Sequence, residues 1–145
     1  MRVRRQQGFT LTEIMIAVAI LAIISAIAIP LYQGYILEAR FSTAQKDIRQ
    51  AQLILDDLAS DNDLASAEPF GYTLGTTLGV YLDAGGSLVL GALATTPAGT
   101  TPWNDPWGNI YRYRRATAQA SPQVYDLLSQ GADTGNASDD VTNQL

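Results

Sequence analysis

The chain is expected to fold as an α+β protein in which one long N-terminal helix, a hydrophobic anchor half followed by an amphipathic half, packs on a small antiparallel sheet. Three observations carry that expectation. Ile14 to Ile29 has Ser25 as its only polar side chain. Beyond it, Leu37, Phe41, Ala44, Ile48, Ala51, Leu55 and Leu58 recur at alternating steps of four and three, which sets them on one stripe of a helix. Near the C-terminus, Ile110-Tyr111-Arg112-Tyr113-Arg114 alternates bulky and charged side chains, as a half-buried strand does. A striped helix and a one-faced sheet bury their apolar surfaces against each other in two layers.

The helix has two halves. Ile14 to Leu31 offers 18 positions, near the lower end of the roughly 17–25 residues that cross a bilayer. Arg2, Arg4 and Arg5 precede it and hold that end in the cytoplasm, so that the rest is translocated. Pro30 removes one backbone hydrogen bond, and the pattern resumes directly beyond it. It is therefore expected to make a kink or a melted turn, with Gly34 as a second soft point. In the second half, Glu38, Arg40, Lys46, Asp47, Arg49, Gln50 and Asp56 fall mostly on the face opposite the apolar stripe. Three repeats with irregular flanking charges suit a helix facing its own core better than a coiled coil. Asp61-Asn62-Asp63 signals a turn, so the helix should end near Ser60.

Glycine and threonine dominate residues 65–103, which predicts loops with one short helix or strand near Thr77–Leu82. Ser87 to Leu93 reads as a strand and Thr95–Pro102 as a linker. Gln123 to Leu128 is the expected partner of the Ile110–Arg114 strand, joined to it through Ala116–Pro122. Asp105-Pro106-Trp107-Gly108 is a turn sequence, with proline presetting φ and glycine free to go positive. Trp107 reads as core, and Tyr111, Tyr113 and Tyr125 as sheet packing.

Composition narrows the function. The 145 residues suit one folded domain plus an anchor, and the hydrophobic fraction of 47% comes partly from that anchor. The net charge is −5, and loss of the three leading arginines would make the remainder more acidic. Such a surface argues against nucleic acid, which needs a basic face. There is no cysteine, so no disulfide ties down the C-terminal end, and no histidine, the commonest general base and metal ligand. No catalytic residue is proposed, and an enzyme is the weakest class.

The N-terminus carries the most specific signal. The order is a basic head, then Gly8-Phe9-Thr10-Leu11-Thr12-Glu13, then the apolar run. A secretory signal puts its cleavage site after the apolar region, whereas here the recognisable junction lies before it. A carboxylate at a bilayer's centre costs roughly 2.5–3.5 kcal/mol on insertion scales and usually marks function. The plainer reading, that Glu13 only complements the positive end of the helix dipole, carries less weight beside the junction at Gly8-Phe9. The arrangement resembles the class III signal of type IV pilins and type II secretion pseudopilins. That resemblance implies cleavage after Gly8 and N-methylation of Phe9 by a prepilin peptidase/N-methyltransferase. It further implies that the new Phe9 amine of one subunit meets Glu13 of its neighbour in a helical homo-polymer. The implied divisions are a leader over 1–8, a membrane and assembly helix over 9–36, and a periplasmic domain over 37–145.

At the other end, Asp105-Pro106-Trp107-Gly108-Asn109, Ile110-Tyr111-Arg112-Tyr113, Tyr125-Asp126-Leu127 and Ser129-Gln130-Gly131-Ala132-Asp133 resemble the C-terminal half of the major pseudopilins of type II secretion. Asp133, Asn136, Ser138, Asp139 and Asp140 supply hard oxygen donors without the spacing of an EF-hand, and composition alone leaves a solvated tail and a metal site both open. The resemblance implies Ca²⁺ held by Asp133, Asp139 and Asp140 with the backbone carbonyl of Gln130. It implies a pseudopilus subunit in the inner membrane, crossing once, whose partners are itself, minor pseudopilins, an inner-membrane assembly platform and lipid. A type IV or competence pilus subunit is the alternative.

Overall fold

The computed structural model describes residues 8–60, 75–115 and 125–143. The arginine-rich start, the turn expected at Asp61-Asn62-Asp63, and the connection Ala116–Pro122 with Gln123 lie outside them. The chain divides into two compact units, Met1–Glu38 and Ala39–Leu145. Helix α1, Leu11–Ser60, runs through both for 50 residues. It continues without a break across Pro30, so the melted turn expected there does not form. Pro30 removes a single N–H donor, and the helical hydrogen bonds on both sides of it carry the axis through.

Among the described residues of the second unit six strands follow: β1 Thr77–Leu82, β2 Leu88–Gly91, β3 Thr101–Pro102, β4 Arg112–Arg115, β5 Tyr125–Ser129 and β6 Val141–Thr142. The sheet order is β2-β1-β4-β5-β6, antiparallel throughout, with β3 pairing the far end of β1. Register settles which side chains face the helix. Leu78 opposes Tyr113, Val80 opposes Leu90, and Tyr113 opposes Leu127. These share one core with Ala44, Ile48, Ala51 and Leu55 of α1, and Phe41 and Leu58 pack at its margin. The predicted stripe is thus the buried one, except that Leu37 is exposed.

Two acids expected on the solvent face of α1 do otherwise. Asp47 neighbours Ile48 and Asp56 neighbours Leu55, so each flanks the stripe and reaches the sheet. Tyr111 donates its hydroxyl to Asp47 at 2.9 Å, and Tyr125 donates to Asp56 at 2.6 Å and to the Gln52 carbonyl at 3.0 Å. Burial, then the adjacent carboxylate, raises the pKa of both phenols well above the usual tyrosine range. A raised pKa in the fold means stability that is complete below the unfolded tyrosine pKa of about 10 and is lost as pH rises above it. Urea midpoints should therefore fall steeply above about pH 10. In Tyr111→Phe/Tyr125→Phe that fall should flatten, while stability at neutral pH drops by about 1.5–3 kcal/mol per lost bond to a charged acceptor.

Candidate functional site

The Gly8–Phe9 bond lies in irregular backbone just ahead of α1, and Phe9 is 85% exposed, so the bond is open to a peptidase. Thr10 and Glu13 close a capping box at the first turn. Thr10 donates its N–H to Glu13 Oε2 at 2.8 Å and its hydroxyl to the same oxygen at 2.7 Å, and Glu13 returns its N–H to Thr10 Oγ1 at 3.3 Å. The box satisfies donors that a helix start leaves unpaired. Glu13 thus caps its own helix, and both side-chain bonds it accepts fall on one oxygen. Ile14 to Leu31 beyond it stands exposed along α1, and this is the one described helix long and apolar enough to cross a membrane.

In the second unit the turn sequence proves to be a hub. Asp105 is 5% exposed. Its Oδ1 accepts the N–H groups of Trp107 at 3.0 Å and Asn109 at 2.8 Å, and its Oδ2 accepts the Ser129 hydroxyl at 2.7 Å. Gly108 sits at φ +94°, the positive value the turn needs. Asn109 then donates its side-chain amide to the Gly131 carbonyl at 2.9 Å. The loop between β3 and β4 is thereby bolted to the end of β5, where the acidic loop begins. Trp107 packs edge-on against Phe41 of α1, with ring centroids 5.0 Å apart, as expected of a core residue.

The acidic loop runs from Gln130 to Asp140. Asp139 turns inward, and its Oδ2 accepts the N–H groups of Ala132 and Asp133, both at 2.9 Å. Gly131, at φ +64°, makes room for it, since a Cβ there would lie 2.7 Å from that oxygen. Asp139 Oδ1 is buried without a hydrogen-bond partner. Asp133 accepts from Gly135 N–H at 3.0 Å, and Gln130 donates its side-chain amide to the Thr134 carbonyl at 3.3 Å. The Asp140 pKa is raised by burial and by the charge of Asp139, against an opposing pull from Arg112. The three carboxylates do not converge, for no group of three acidic side chains able to hold a metal forms among the described residues. A buried, unpartnered carboxylate oxygen amid hard oxygen donors nevertheless suits a cation such as Ca²⁺.

An apolar helix capped by a lone acid, followed by an amphipathic half on a small sheet, defines a pilin-like α+β fold. The prokaryotic N-terminal methylation motif matches residues 3–29, and the type II secretion system protein G family matches residues 91–145. The chain is 34% identical over 146 aligned positions to the type II secretion system core protein G of Pseudomonas aeruginosa, covering 92% of this chain and 88% of that one. The core protein G of Vibrio cholerae is 28% identical over the same shares of the two chains. The type IV major fimbrial protein FimA of Dichelobacter nodosus is 36% identical across 82% of this chain and 79% of its own. No solved structure matches. The chain belongs to the core protein G family, the major pseudopilins of type II secretion.

Proposed function

We propose that the chain is the major structural subunit of a pseudopilus that serves protein export by type II secretion. The observation that carries this reading is the match of its C-terminal segment, residues 91–145, to protein G. The N-terminal motif is common to pilins and pseudopilins and does not separate them. Likeness to type IV fimbrial proteins keeps a pilus subunit as the second reading. In the proposed cycle a prepilin peptidase cuts after Gly8 and methylates Phe9. The segment 9–36 holds the product in the inner membrane with residues 37–145 in the periplasm. An assembly platform then adds subunits, alongside minor pseudopilins, to a growing fibre that moves cargo outward. Intact-mass measurement of the purified subunit should give a chain beginning at N-methylated Phe9. A mass that retains Met1–Gly8 would overturn the processing step.

Calcium is proposed to bind the acidic loop at Asp139 and to draw in Asp133, Asp140 and the Gln130 carbonyl; the three carboxylates stand apart in this structure. The unpartnered Asp139 Oδ1 supports this. A ligand that binds the native state alone stabilises it by roughly 2.7 kcal/mol at a hundredfold excess over Kd. The melting midpoint of the detergent-solubilised chain should then rise with calcium by roughly 4–8 °C per kcal/mol, and fall back with chelator. Magnesium should substitute poorly, because it demands a tighter octahedron. Asp139→Ala should lose the response. A wild-type curve unmoved by both calcium and chelator would remove the metal from this reading.

A further inference from the structure

Between Glu13 and Glu38 the chain carries no charge for 24 residues, which at 1.5 Å per residue is about 36 Å of helix. The hydrocarbon core of a bilayer is about 30 Å thick. Hydropathy alone therefore leaves about 6 Å of slack in where the helix sits. Two tyrosines remove it. Tyr32 and Tyr35, 66% and 69% exposed, stand three residues apart on one face of α1. With Ala28, Leu31 and Ile36 they line a shallow open groove. A tyrosine has an apolar ring and a polar tip, a combination that settles at the level of lipid headgroups. Nineteen residues of unbroken helix separate Glu13 from Tyr32, about 28 Å, which is close to the thickness of the hydrocarbon layer.

The geometry points to Tyr32 and Tyr35 as a lipid-headgroup anchor that fixes the depth of the unassembled subunit in its membrane. This rests on the reading of the N-terminal segment as a membrane span. With the tyrosines in one interface, the Thr10–Glu13 cap lies in the other. Glu13 is then held at the water boundary and not in hydrocarbon. The alternative register lowers both tyrosines into the lipid and brings Glu38 to the surface.

The absence of cysteine from the chain makes the test direct. The full chain carrying Gln33→Cys, Ile20→Cys or Glu38→Cys would be spin-labelled in vesicles of phosphatidylethanolamine and phosphatidylglycerol. Depth is then read from collision with oxygen against a water-soluble nickel chelate. The Gln33 label should report headgroup depth, the Ile20 label mid-hydrocarbon and the Glu38 label bulk water. In Tyr32→Leu/Tyr35→Leu the Gln33 label should sink by up to about 6 Å, the available slack, and Tyr32→Trp/Tyr35→Trp should restore it. A Gln33 label already in hydrocarbon, or one unmoved by the leucine pair, overturns the anchor while leaving the span. An Ile20 label outside hydrocarbon overturns the span itself, and the anchor with it.

Discussion

Asp105→Ala is expected to lower the stability of the Ala39–Leu145 unit by about 3–5 kcal/mol, a large share of the roughly 5–15 kcal/mol that holds a domain together. Three donors lose their acceptor together: the N–H groups of Trp107 and Asn109 and the hydroxyl of Ser129. Ser129 is fully buried, so water cannot replace the carboxylate there. Asp105→Asn should cost less, about 1–2 kcal/mol, because the amide oxygen can still accept the two turn N–H groups and the serine hydroxyl can reverse to accept. Ser129→Ala leaves one carboxylate oxygen unpaired and should fall between them. Urea denaturation of the three variants gives the ranking. Equal and small losses would mean that the hub contributes little.

Fibre assembly is expected to fail in both Glu13→Ala and Glu13→Gln, through loss of the proposed pairing with a neighbouring Phe9 amine and not through loss of the cap. Glutamine keeps an oxygen for the Thr10 N–H and so preserves most of the capping box, whereas alanine removes it at about 0.5–2 kcal/mol of helix stability. Glutamine nevertheless lacks the charge that would meet a neighbouring Phe9 amine. Both variants should insert in the membrane at least as well as wild type, since a charge is removed. Fibre yield after overproduction, counted by electron microscopy against membrane-inserted subunit, separates the roles. Wild-type fibre yield from Glu13→Gln would show that the cap, and not charge pairing, is what assembly uses.

The helix was the most legible part of the chain because its signal repeats. Seven apolar positions at alternating steps of four and three leave one reading for residues 37–58, and the apolar run on the far side of Pro30 extends it. The sheet was legible where strands alternate, in β4 and β5, though β4 starts two residues later than Ile110. Tyr111 pairs instead with Trp103 and Val80, at the point where β3 and β4 meet along β1. Thr101–Pro102 read as linker because two residues carry no period. Val141–Thr142 gave no strand signal for the same reason, although a lone valine among acids was a hint of burial. The hub at Asp105 read as a plain turn since its decisive partner, Ser129, lies 24 residues away. The phenol bonds to Asp47 and Asp56 span 64 and 69 residues and were beyond any local pattern. In the acidic loop, residue types suggested a cation, but only the coordinates single out Asp139 as the side chain turned inward.

Among the described residues the sheet ends in short strands, four residues in β2 on one side and two in β6 on the other. Open strand edges invite pairing with another chain, and the risk grows with local concentration. A subunit proposed to crowd into a membrane and stack through its helix meets that hazard in full. Val141–Thr142 offers too short a ladder to template a second copy, and Asp139 and Asp140 keep charge beside it. Brevity at the margins of the sheet thereby disfavours zipping of subunits by their strands and leaves the proposed assembly to the helix.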